Sequence, residues 1–139
     1  MIADQKKIIL TQLKKIYNPK GDIFHALKKS EDQYTSFGEA YFTSIHKGEI
    51  KGWKKHKKMT LNLIVPSGHV RFYIHYEEEK KSIHIDLGVT NYLRLTIKPG
   101  LWVAFEGIGD GLNLILNIAD IEHNPTESVN KDINDFPLK

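Results

Sequence analysis

Lys54, His56 and Lys58 stand two apart in the run Ile50-Lys51-Gly52-Trp53-Lys54-Lys55-His56-Lys57-Lys58-Met59-Thr60. In extended chain that spacing puts all three on one side. Thr60 and Asn62 continue the same side. An imidazole exchanges protons near neutral pH unaided. A lysine does so when burial and neighbouring cations lower its pKa, and otherwise it holds an anion. The opposite side carries Trp53, Lys55, Lys57, Met59, Leu61 and Leu63, so neither side is plainly the outside of a sheet. Two readings follow. The lysines form one solvated basic patch that binds an anion and catalyses nothing, or the polar row lines a barrel that holds one ligand.

The elements that must position this row are mostly strands. Residues 4–16 are the exception and read as a helix: Ile8, Ile9, Leu13 and Ile16 share one face, with Lys6, Lys7, Lys14 and Lys15 mostly off it. Asn18-Pro19-Lys20-Gly21 stops it with turn chemistry. The predicted division is a helix over 1–17 and a single β domain over 18–139. Residues 40–45, 53–65, 69–76, 82–87, 92–98, 101–105 and 112–119 read as strands. Residues 69–76 alternate most cleanly, Val70, Phe72, Ile74 and Tyr76 against His69, Arg71, Tyr73 and His75. Glu77 to Lys81 form a charged hairpin tip, Pro99-Gly100 a turn, and Gly107 to Gly111 another. Short strands spaced about ten residues apart with glycine turns predict an all-β sandwich or barrel.

Composition narrows the function classes. The chain has 139 residues, enough for one core, and 40% of them are hydrophobic. It has no cysteine, which removes disulfides, thiol nucleophiles and cysteine metal sites and suits a reducing cytoplasm. No apolar run approaches the roughly 20 residues of a membrane span, and the first residues lack a signal-peptide pattern. The net charge of +3 suits a phosphorylated or otherwise anionic partner. No zinc-finger spacing, helix-turn-helix or aromatic RNA-binding motif accompanies it, so no nucleic-acid partner is expected. A basic module that binds nucleic acid through the lysine strand is the remotest of the readings.

Residues 52–68, the segment Pro99-Gly100-Leu101-Trp102-Val103-Ala104-Phe105 and the tail Ile133-Asn134-Asp135-Phe136-Pro137 together resemble the dTDP-4-dehydrorhamnose 3,5-epimerase family, from about Pro19 to Pro137. The resemblance implies a cupin, that is, a double-stranded β-helix jelly roll, here with an N-terminal helix, acting as a homodimer in the cytoplasm. It implies action on a nucleotide-linked 4-keto-6-deoxyhexose in surface polysaccharide or deoxysugar synthesis. Lys20-Gly21 with Phe24 resembles the family's nucleotide-contacting segment, and Ile50-Lys51-Gly52-Trp53 resembles the triplet that leads into its catalytic strand. Three positions depart from the pattern: Lys54 stands where the family has its catalytic histidine, Val103 where it has a second histidine, and Leu116 near its acid tyrosine. Asp135 resembles the acidic partner of the histidine, with Asn134 beside it.

Epimerisation next to a ketone needs a base, a group that stabilises the enolate, and an acid on the far face. Under the resemblance Lys54 and His56 are the candidate bases with Asp135 behind them. Lys58 is a candidate for the enolate oxygen or a phosphate, and Tyr73 or Tyr41 for the acid. Lys20, Phe24, Lys51, Lys58, Asn62, Arg71, Tyr73 and Asn117 are the candidate substrate contacts, and Asn113 and Asn117 share a strand side suited to sugar hydroxyls. His69, His75 and His84 fall on polar sides of adjacent strands, but the cupin ligand pattern is broken at Lys54 and Val103, so neither metal nor cofactor is expected. His123 follows the last core strand as a loop histidine or, with Glu122, a site residue. The principal alternative is a sugar-nucleotide-binding relative without catalysis.

Overall fold

A computed structural model of the chain describes residues 7–139. Among these there is no α-helix. One five-stranded sheet runs, in spatial order, β1 (Ile8–Gln12), β9 (Leu93–Ile97), β6 (Leu61–Ser67), β11 (Leu114–Ala119) and β4 (Glu39–Ser44). The second runs β12 (Ser128–Asn130), β5 (Ile50–His56), β10 (Trp102–Gly107), β7 (His69–Tyr76) and β8 (Lys81–Gly88). A small ribbon pairs β2 (Lys15–Ile16) with β3 (Ile23–Phe24). The inner faces meet through Leu63 and Val65 of β6, Phe72 and Ile74 of β7, Leu95 of β9 and Ile115 of β11. The result is an all-β, cupin-like sandwich. The β7 side chains expected in the core, Val70, Phe72, Ile74 and Tyr76, are all there, because an alternating strand has only one apolar side to bury.

The helix expected over residues 4–16 is not present in the described part of that span. Residues 4–6 lie outside the described residues. Ile8 to Gln12 form β1, whose register with β9 runs from Ile8 opposite Ile97 to Gln12 opposite Leu93. Ile8, Ile9 and Thr11 are β-branched and suit a pleated surface better than a helix. The free edge of β9 gives them a ladder, and the side chain of Ile8 packs against the core. Lys15 and Ile16 belong to the β2–β3 ribbon, whose turn is closed by Gly21 N donating to Asn18 O at 2.9 Å.

Residues 53–65, expected as one strand, are parts of two. β5 ends at His56, the chain turns through residues 57–60, and β6 enters the other sheet at Leu61. Side-chain parity is therefore not carried from Lys54 to Asn62. It is also broken within β5. Val103 of β10 pairs with Lys54 and Phe105 pairs with Lys51, so Gly52 and Trp53 together oppose the single residue Ala104. This is a β-bulge. Lys51 and Lys54, three apart, therefore face the same side. Gly52 is required there: its φ is +147°, and a Cβ would lie 2.4 Å from Ala104 Cβ.

Candidate active site

Between the sheets lies a cleft of about 660 Å³. Its apolar floor includes Met59, Leu61, Leu63, Phe72, Val103 and Phe105. Its polar groups come from both sheets: Glu39, Tyr41 and Thr43 on β4, Lys51, Lys54 and His56 on β5, Asn117 on β11, Asn130 on β12, and His123 beyond β11. An apolar pocket with a few convergent polar groups is the ordinary form of a small-molecule site.

His56 is the most constrained of them. Its Nδ1 meets Oε1 of Glu127 in a short hydrogen bond. Glu127 is 4% exposed. Its Oε2 accepts the amides of Lys58 at 3.1 Å and Met59 at 3.2 Å. Burial by itself raises this carboxyl, but the hydrogen bonds from His56 and the two amides outweigh it and hold Glu127 below the usual carboxylate range. An anionic partner at Nδ1 fixes the tautomer and leaves Nε2 as the nitrogen able to take a proton.

Across the cleft, Asn117 orients Tyr41. Asn117 Nδ2 donates to Tyr41 Oη at 3.0 Å, and its Oδ1 accepts the Asn62 amide at 3.2 Å. The phenol keeps its own O–H to donate. Lys51 Nζ donates to Ser44 O at 2.9 Å. The Lys54 side chain makes no hydrogen bond or ion pair among the described residues, so its cation is available to a ligand. Glu39 Oε1 accepts the His123 amide at 3.2 Å, which ties the mouth together.

The cleft thus contains six of the residues singled out in the sequence, Tyr41, Lys51, Lys54, His56, Asn117 and His123. The others lie elsewhere. Arg71 and Tyr73 are on the outer side of β7, where Arg71 chelates Asp86 at 2.7 and 3.0 Å and Tyr73 Oη donates to Glu106 at 2.6 Å. Alternation on β7 dictates this, since Phe72 is the residue that faces the cleft. Asn62 is buried between Thr96 Oγ1, which donates to it at 2.6 Å, and the loop carbonyl of Gln33. Lys58 is exposed on the β5–β6 turn. Lys20 lies in the β2–β3 turn, and Phe24 packs edge-on against Tyr92. Asp135 accepts the Asp132 amide in the capping box of a short 3-10 helix, Ile133–Asp135. The carboxylate on the histidine is Glu127.

Of these groups Glu127 was not expected, whereas Tyr41 was one of two candidate acids. No local pattern marks Glu127, whose position depends on β12 pairing with β5, with Ser128 opposite His56. Asn113 is structural: its side chain bridges the amide of His69 with the carbonyls of Ile45 and Gly109. His69, His75 and His84 are engaged separately, with Asp86, Ser82 and the Tyr73 ring. Among the described residues no three histidines or carboxylates stand close enough to hold a metal ion, and no helix is long and apolar enough to cross a membrane.

Residues 6–137 match the family model described as FdtA: WxcM-like, C-terminal. The chain belongs to that family. None of the curated proteins matches it significantly. Among solved structures it is similar to a dTDP sugar isomerase from Desulfovibrio desulfuricans, with 30% identity over 92% of this chain and 85% of that one and a TM-score of 0.87. It is also similar to the sugar 3,4-ketoisomerase QdtA from Thermoanaerobacterium thermosaccharolyticum in complex with TDP, at 20% identity, 94% and 91% coverage and TM-score 0.79. The Mycobacterium tuberculosis rmlC epimerase aligns at 12% identity, 95% and 72% coverage and TM-score 0.82. In this WxcM-like chain the β10 residue opposite Lys54 is Val103, and Leu116 lies on the outer side of β11 opposite Phe42. Neither position supplies a proton donor; His56 and Tyr41 are among the cleft's proton-bearing groups, with Lys51, Lys54, Glu39 and His123.

Proposed function

We propose that the cleft isomerises or epimerises a nucleotide-linked 4-keto-6-deoxyhexose by α-proton abstraction. The carrying observation is a cleft-lining histidine held at Nδ1 by a buried carboxylate. His56 Nε2 takes the proton on the carbon next to the ketone, and the C–H electron pair passes to the ketone oxygen as an enolate. Lys54 stabilises that oxygen, and Lys51 faces the diphosphate. To move the ketone, the proton returns to the former carbonyl carbon while the neighbouring hydroxyl gives up its own proton to become the new carbonyl and the former enolate oxygen takes one up as a hydroxyl; to invert the centre, the proton returns to the opposite face of the same carbon and the ketone re-forms in place. Tyr41 comes from the opposite sheet and suits the second delivery. The relatives named as sugar isomerase and 3,4-ketoisomerase favour the first outcome, and the rmlC epimerase shares the fold. A small-molecule anion is the partner this reading favours over nucleic acid, supported by Lys51 and Lys54 lining the cleft while Lys55 lies 5.1 Å over the Trp102 ring.

The test is proton NMR of dTDP-4-keto-6-deoxyglucose with the protein in deuterated water. Enzyme-dependent loss of the C3 proton signal, with a new ketone position, is expected. His56→Asn is expected to slow it about 10²- to 10⁴-fold, the usual contribution of a general base. Lys54→Met is expected to slow it about 10²-fold, as for loss of one oxyanion partner. Ligand line-broadening without exchange would identify a sugar-nucleotide binder instead.

A further inference from the structure

The site is built partly from behind. Glu127 sits in a loop, its amide donating to Asn124 O at 3.1 Å and its carbonyl accepting the Lys57 amide at 2.7 Å, and immediately downstream the chain enters β12. That strand is three residues long and lies at the sheet edge, where ladders open most easily. Beyond β12 the chain crosses the outer side of β5 and meets Trp53, which is 0% exposed. Trp53 N donates to Lys131 O and Lys131 N to Trp53 O, both at 3.0 Å. The Trp53 indole Nε1 donates to Ile133 O at 3.0 Å. Phe136 then fills a seat among Trp53, Trp102 and His75, with ring centroids at 5.9, 5.3 and 4.1 Å. Lys131, Ile133 and Phe136 line no part of the cleft.

We infer that this C-terminal segment is a clamp that sets the His56–Glu127 pair from outside the sandwich, with Phe136 as its positioning residue. The inference rests on the proposed isomerase reading. A half-buried phenylalanine ring packed against three aromatic side chains adds apolar and ring–ring contact that the three-residue edge strand alone does not supply. With the segment seated, β12 keeps Ser128 opposite His56, and Glu127, one residue earlier, meets the imidazole. With it loose, Glu127 is held only by the amides of Lys57, Lys58 and Met59 on the β5–β6 turn, its register against His56 is no longer fixed by β12, and the bond that sets the tautomer at Nδ1 weakens.

Two readouts test this on the full chain. Kinetics on dTDP-4-keto-6-deoxyglucose compare wild type with Phe136→Ala and Phe136→Tyr. Long-range proton–nitrogen NMR of the histidine rings reads the His56 tautomer without substrate. Phe136→Ala is expected to lower kcat about tenfold or more while KM stays within twofold, and to turn a single Nδ1–H tautomer into a mixture. Phe136→Tyr is expected to restore both. An unchanged kcat and tautomer, with residues 131–138 shown by amide exchange to be released, overturns the clamp. So does an equal loss in every parameter that follows the unfolded fraction. Should Phe136→Ala fail to fold, Ile133→Ala, which trims the segment's other apolar contact with the Trp53 cluster and lines no part of the cleft, decides by the same readouts. If wild type leaves the sugar unchanged, the isomerase reading fails, and the tautomer still decides the clamp.

Discussion

The Glu127 carboxylate accepts three hydrogen bonds in a buried position, so its charge is coupled to both chemistry and stability. Glu127→Gln keeps the shape but gives His56 a neutral partner. Turnover is expected to fall about tenfold to a hundredfold, in line with partners that orient a ring nitrogen, and stability by about 1–3 kcal/mol. The pH dependence has a definite sign. The folded carboxyl lies below its ordinary value of 4.5, so its contribution is present above that pH and is lost as pH falls through the folded value. The gap in thermal midpoint between wild type and Glu127→Gln is therefore widest at neutral pH and closes below about 4.5, which a melting series across pH will show. His75, beneath Phe136, has the opposite charge logic. Burial lowers its imidazole, against a weaker upward pull from Glu77, so the seat holds a neutral ring.

At the scale of the element, the β5 bulge decides which side chains meet the ligand. Gly52→Ala forces a methyl against Ala104 at a φ that L-residues avoid. A destabilisation of about 1–3 kcal/mol is expected, with loss of the Lys51 and Lys54 alignment. Calorimetry and ligand titration together will separate the two effects. The strands themselves were legible in the sequence where one side was apolar: β7 and β8 needed only alternation. Lys54 and His56 were also legible as a facing pair, since no irregularity separates them. Arg71 and Tyr73 failed as ligand contacts because a polar strand side can face solvent as easily as a cavity. Asn62 failed because a turn and a change of sheet intervene after His56. The N-terminal span failed because Ile8, Ile9, Leu13 and Ile16 fit a helical face as readily as a strand, and only β9, more than eighty residues away, arbitrates. Glu127 needed that same long-range information.

For the whole molecule, the outer side of β4 and β11 is apolar and lies at an open sheet edge. Phe42 is 63% exposed and stands opposite Leu116, and Ala40 opposite Ile118. An exposed apolar edge strand invites pairing with another chain, and a homodimer is the assembly we propose. Phe42→Glu is expected to shift sedimentation from dimer to monomer while leaving the cleft side of β4 in place. A sedimentation profile that is monomeric in wild type sinks the proposal. The C-terminal seat has an optical consequence as well. The chain holds two tryptophans, Trp53 and Trp102, and both lie under the same short tail. Intrinsic tryptophan emission is therefore not an average over the molecule. In the protein without ligand it is a local gauge of whether residues 131–138 are docked, built in without any label, and because Trp53 also lines the cleft the same emission responds when a ligand enters.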